Sequence, residues 1–131
     1  MIALEEARNV VSAAEEKARE IGTPMNVAVV DAGTNLLTFD RMEDAWLGSV
    51  DIAINKAFTA AAFKLPTHEL AEMSQSGQDL FGIQATNNGK VVIFAGGIPL
   101  ERDGEVIGAV GVSGGTIDQD QEVAEAGAAA F

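Results

Sequence analysis

The stretch from Ser49 to Lys64 constrains the fold more than any other. Wound as a helix, it puts apolar side chains around nearly its whole circumference. Only Asp51, Asn55 and Thr59 make a polar line at i, i+4 and i+8, with Lys56 beside it. A helix with so little solvated face is buried on most sides. It must lie between a sheet and a second cover, which is either a partner subunit or a ligand pocket. Ser49 is placed to cap its start, and Pro66 breaks it.

The other elements supply the sheet. Leu4, Ala7, Val10, Val11, Ala14, Ala18 and Ile21 recur at steps of three and four, so the chain opens on an amphipathic helix ended by Gly22 and Pro24. Asn26–Asp31 and Leu36–Phe39 flank an Ala32-Gly33 turn and read as a hairpin. A short helix is expected from Thr67 to Ser74 and another turn of helix within 79–85. Asn87-Asn88-Gly89 is a hairpin-type turn signal. Val91–Phe94, Ile98–Glu101 and Val106–Val112 then read as three strands, with Arg102-Asp103-Gly104-Glu105 as a tight turn. Thr116 and Gln119 form a capping box for a last Ala-rich helix. The order is α-β-β-α-α-β-β-β-α. Strands joined by tight turns pair antiparallel. The expected fold is therefore α+β, a five-stranded antiparallel sheet carrying the first, second and last helices, as one domain over residues 1–131.

Charge and residue inventory exclude several functions. The net charge of −12 repels phosphate backbones and anionic lipid, so neither nucleic acid nor membrane is an expected partner. There is no Cys, hence no disulfide, thiolate zinc site or Cys nucleophile. The first residues carry no basic, then apolar, leader pattern, which reads as cytoplasmic. Apolar residues make up 47% of the chain but only 5% is aromatic, so much of the core is Ala and Gly. Part of that surface is expected to form a subunit interface.

Several constellations could carry chemistry. Gly96 and Gly97 sit inside a strand-like run, which marks either a ligand lying against bare backbone or a bulge alone. Gly111-Val-Ser-Gly-Gly-Thr116 leads into a helix N-terminus, a place where free amides meet an anion such as a carboxylate. Lys56 either faces an acidic ligand group, or acts as a base of lowered pKa, or pairs with a hairpin carboxylate such as Asp31 or Asp40, or snorkels to the surface. His68-Glu69-Leu-Ala-Glu72 approaches the zincin pattern but lacks its second His, so no metal site is expected. Met25 and Met73 read as core or turn residues. Asp118, Asp120, Glu122 and Glu125 read as structural and solvating, suited to the helix dipole.

Five segments occur in an order that is similar to a known family: Val29-Val-Asp-Ala-Gly33, Asn55-Lys-Ala-Phe-Thr-Ala-Ala61, Gln84-Ala-Thr-Asn87, Gly96-Gly-Ile-Pro-Leu100 and Gly108-Ala-Val-Gly-Val-Ser-Gly-Gly-Thr116. Over essentially its whole length the chain resembles the GlcG/HbpS family, the haem-degrading domain family, which includes the C-terminal domain of PduO-type corrinoid adenosyltransferases. The resemblance implies a profilin-like domain that forms dimers or higher oligomers, with haem or another tetrapyrrole as cofactor in some members. It also shows a departure. Many relatives carry a His shortly after the first hairpin turn, where this chain has Asn35. With no Cys, no Tyr and one His, His68 is the remaining imidazole for a haem iron.

The leading expectation is a small-molecule-binding homo-oligomer. Its pocket would lie between the second helix and the Gly96-Gly97 strand, at a subunit boundary. Lys56 and Arg41 would attract a carboxylate, Ser113 and Gly114 would donate hydrogen bonds, and Thr59 would complete the polar wall. Haem or a related tetrapyrrole is the ligand implied by the resemblance, with a small organic acid beside it. Two other classes stand next to this one. One is an enzyme acting on a small organic acid with Lys56 as base or electrostatic catalyst. The other is a ligand-free accessory subunit of a metabolic enzyme system.

Overall fold

The computed structural model describes residues 1–131. Helix α1 (Leu4–Ile21) leads into the hairpin β1 (Asn26–Asp31) and β2 (Leu36–Arg41). Helices α2 (Gly48–Phe63) and α3 (Thr67–Met73) follow. Two short 3-10 turns, Ile83–Ala85 and Asn87–Gly89, precede the hairpin β3 (Gly97–Arg102) and β4 (Glu105–Ser113), and α4 (Ile117–Ala129) closes the chain. All strands pair antiparallel in one sheet of order β2-β1-β4-β3. Helices α1 and α4 pack together on one face, and α2 lies across β1, β3 and β4 on the other. No helix is long and apolar enough to cross a membrane.

Strand periodicity divides the side chains between the faces. Val27, Val29, Val110, Val112 and Leu100 point to the α1/α4 face and join Val10, Val11 and Val123 in the larger core. Ala28, Val30 and Ala109 point to the α2 face and meet Ala53, Ala57, Ala60 and Ala61. Small side chains on both sides let this helix sit almost on the backbone of the sheet.

Local signals are realised at several points. Gly22 ends α1 in a left-handed conformation. Thr116 accepts from the amide of Gln119, whose side chain accepts from the amide of Thr116, closing the capping box. Asp103 and Gly104, both at positive φ, form the β3–β4 turn. In the first hairpin the Asp31 carboxylate accepts from the amides of Gly33 and Asn35, each at 2.9 Å. The side chain of Asn35 also donates to it, so Asn35 is part of the turn.

The sheet has four strands, not the five expected. Val91–Phe94 has the composition of a strand but pairs with no other strand. Its backbone is claimed by α2 instead: the amide of Val92 donates to Thr59 Oγ1 at 3.0 Å, and Val91 is buried. Asn87-Asn88-Gly89 consequently does not join two strands. It forms a 3-10 turn with all three residues at positive φ. Nor does Ser49 cap α2. The helix begins one residue earlier, Leu47 stands at the cap without a side-chain bond, and Ser49 is buried within the first turn.

Candidate functional site

The close seating of α2 on the sheet begins at Gly111. A Cβ there would stand 2.5 Å from the amide nitrogen of Ala57 and collide with the carbonyl of Ala53. Bare backbone at this point of β4 brings the middle of α2 down against the sheet, and Lys56 comes with it.

Lys56 is fully buried. Its Nζ donates to the carbonyl of Val112 at 2.8 Å and to Asp120 Oδ2 at 2.9 Å. Asp120 belongs to α4, on the opposite side of the sheet. The lysine reaches it past Gly96, just ahead of β3, where φ is 122° and a Cβ would stand 2.7 Å from Nζ. Any side chain at position 96 would block this passage. The other oxygen of Asp120 accepts from the amide of Gly115 at 2.9 Å. The loop amides before α4 therefore meet an anion supplied by the chain itself.

Burial pushes both groups toward their neutral forms, Lys56 down and Asp120 up. Their mutual attraction opposes both shifts, and the amides of Gly115 and Gly114 further hold Asp120 down. At 2.9 Å, with each partner also hydrogen-bonded to backbone, the pair meets the conditions under which a buried ion pair persists.

Several expected site residues gather around this pair. Gly97 packs against the carbonyl of Lys56, and its amide donates to Thr67 Oγ1 at 2.9 Å. Thr59 is buried and holds the segment before β3 through Lys90 and Val92. Ser113 is buried at the end of β4, and Gly114 packs on Pro24 and Met25. The nearest aromatic ring is that of Phe94, 5.0 Å from Lys56 Nζ. Lys56 pairs with neither Asp31 nor Asp40, the partners considered from sequence.

Arg41 lies at the far edge of the sheet. It is opposite Asn26 in β1, which is opposite Ser113 in β4, so these three residues form one row. Asn26 is fully buried, its Nδ2 donates to the carbonyl of Trp46, and its Oδ1 has no partner. Arg41 also lines an open cleft of about 480 Å³ with Glu15, Arg19, Phe39, Asp40, Met42 and Glu43. Burial and the neighbouring Asp40 raise the Glu15 carboxyl to about 7. His68 is exposed on α3, away from this row and cleft. Met25 is core as expected, but Met73 is partly exposed.

Sequence reasoning missed two residues of this region, Asp120 and Asn26, and the exposure of Trp46 and Leu47. Asp120 was read as dipole compensation, although an Asp at the fourth helical position can also turn inward. Asn26 carried a signal, a lone amide opening an apolar strand. Trp46 and Leu47, 66% and 74% exposed, were passed over as loop.

Known proteins share this architecture. The family model described as haem degrading protein HbpS-like matches residues 2–129. A 15.0 kDa protein in the dhaT-dhaS intergenic region of Citrobacter freundii is 48% identical over 124 residues, covering 95% of this chain and 87% of that protein. The corrinoid adenosyltransferase PduO of Salmonella typhimurium is 46% identical over 120 residues, which is 91% of this chain but 35% of PduO. A crystal structure of a PduOC–haem complex superposes with a TM-score of 0.96 at 40% identity, covering 99% of this chain and 94% of that one.

Proposed function

The chain belongs to the HbpS-like family, and from that premise we propose that it binds haem or a related tetrapyrrole on a surface completed by a second copy of itself. The observation that carries this reading is a set of exposed large apolar side chains before α2 and after α3. Trp46 and Leu47 precede α2, and Phe81, 64% exposed, lies with Leu80 and Phe94 in the connection that follows α3. Brought together in one patch, side chains of this kind would mark an interaction site. A flat, apolar macrocycle with carboxylate arms matches such a surface, and the relative crystallised with haem covers nearly all of this chain. The open clefts of a single chain are small for a tetrapyrrole, at about 480 Å³ or less, which supports a site shared between copies.

The residues fit such a ligand in part. His68 and Met73 are exposed and have the donor atoms that haem iron accepts; Asn35 is occupied by its turn. Lys56, Gly96, Gly97, Thr59, Ser113 and Gly114 would form the polar end of the site, with Arg41 as a second cation at the sheet edge. The ion pair with Asp120 favours an electrostatic role for Lys56 over that of a base. When bound, haem would supply redox and oxygen chemistry; the chain would supply the apolar seat and the cation. The adenosyltransferase activity of PduO belongs to a protein of which this chain matches about a third, and it is not part of the proposal.

Titration of the purified protein with hemin, followed in the visible spectrum, tests the reading. A saturable shift to a defined Soret band is expected, together with a change in elution volume if a second copy completes the site. His68→Ala and Met73→Ala then identify the iron ligand by the position of that band. A spectrum indistinguishable from free hemin at every ratio refutes the tetrapyrrole reading and directs the search to small carboxylates.

A further inference from the structure

Lys56 Nζ has three N–H groups, and two of them have oxygen acceptors. Against the ammonium there is also the ring of Phe94, 5.0 Å away at its centroid. Val112, Asp120 and Gly96 are buried, whereas Phe94 is 38% exposed. A partly exposed aromatic side chain thus lies against a fully buried cation. The cation–π contact that holds the ring is weak beside the ion pair behind it.

The backbone that carries this ring is loosely held. Val92 is fixed by Thr59, and Gly96 is fixed at both ends, its amide to Gln121 Oε1 and its carbonyl to the amide of Val112. Between them Ile93, Phe94 and Ala95 belong to no helix or strand, and their backbone groups make no hydrogen bond to the rest of the chain. Ala95 is buried, but Ile93 and Phe94 can turn outward beside it without breaking a hydrogen bond of the sheet. The left-handed backbone of Gly96 is the pivot at one end.

We propose that Phe94 is a gate over Lys56, and that a ligand carboxylate reaches the ammonium when the ring swings out of its place. The third N–H then donates to the ligand while Asp120 and Val112 keep the other two. The gate selects for a ligand with an anionic arm attached to an apolar body, since the body covers what the ring leaves. The identity of that ligand rests on the tetrapyrrole reading above; the gate itself does not.

Lysine labelling of the folded protein with acetic anhydride, read by mass spectrometry, tests the gate without any ligand. In the wild type, Lys56 should react more slowly than Lys17, Lys64 and Lys90. In Phe94→Ala its rate should rise at least about tenfold, as a local opening would allow, with the other three lysines unchanged. Phe94→Trp should keep Lys56 protected, and both variants should unfold cooperatively, the alanine variant at a somewhat lower Tm. An unchanged Lys56 rate in folded Phe94→Ala overturns the gate, as does a uniform rise at every lysine. Hemin should slow the labelling of Lys56 in Phe94→Ala, and its dimethyl ester should not; equal protection by both overturns the role of the carboxylate. If the alanine variant opens but hemin gives no Soret change, the tetrapyrrole reading fails and the gate stands.

Discussion

The two faces of the sheet are held by different physics. On the α1/α4 side, Val10, Val27, Val29, Leu100, Val110, Val112 and Val123 fill space with branched aliphatic volume. On the α2 side the buried apolar residues are almost all alanine. Glycines replace side chains at the contact, and the buried polar groups Asn26, Ser49, Lys56, Thr59, Thr67 and Ser113 lie among these elements. The first face gains stability from area removed from water. The second buries little area per residue and depends on close backbone approach and on hydrogen bonds to its buried polar groups, such as those of Lys56, Thr59 and Thr67. A surface of that second kind tolerates few substitutions, and most of the residues singled out from sequence lie on it.

Five single substitutions would break or sharpen this contrast. Gly111→Val should have the largest effect. Its side chain would enter α2 itself, so a loss of at least about 4 kcal/mol is expected, read as failure to give a cooperative urea transition. Asp120→Ala follows. It strands a buried ammonium and should cost about 3–5 kcal/mol in urea unfolding, while Lys56→Met combined with Asp120→Leu should recover most of it. If the double variant is no more stable than the single one, the pair is not what Asp120 contributes.

A matched pair of substitutions compares the faces directly. Leu100→Ala empties volume on the aliphatic face and should cost about 2–5 kcal/mol. Ala60→Val adds volume on the alanine face and should cost about 1–3 kcal/mol. If Ala60→Val proves stabilising, the α2 face is underpacked rather than tightly seated. The smallest effect belongs to Glu15. Its folded pKa is raised to about 7 by burial and by Asp40. A raised carboxyl pKa contributes stability that is complete below the unfolded value and is lost as pH rises through the folded one. Glu15→Gln should therefore raise Tm slightly at pH 8, by less than about 1 kcal/mol in stability for so exposed a group, and not at pH 4.

How much of this was legible follows from range along the chain. The Thr116–Gln119 capping box, the Gly22 stop, the Asp103-Gly104 turn and the first hairpin are contacts within a few residues, and each was readable. Whether Val91–Phe94 joins a sheet depends on a competitor more than thirty positions upstream, Thr59, which takes its amide. The family and its α+β class were readable from five spaced segments. The partner of Lys56 was not, because Asp120 satisfies a local rule about helix dipoles equally well while its side chain turns inward to an unrelated helix. The apolar circumference of α2 called for a sheet beneath it, and β1, β3 and β4 supply that sheet.

The passage of Lys56 past Gly96 also sets an order of events. Its partner lies 64 residues further along the chain, and its second acceptor, the Val112 carbonyl, is in place only after β4 has docked. Contacts that close so long a loop are entropically expensive to form early. The pair is therefore expected to form late in folding, after the transition state. Weakening it should leave the refolding rate nearly unchanged and speed unfolding. A single glycine that lets one side chain through a sheet thereby governs how long the native protein persists, more than how fast it forms.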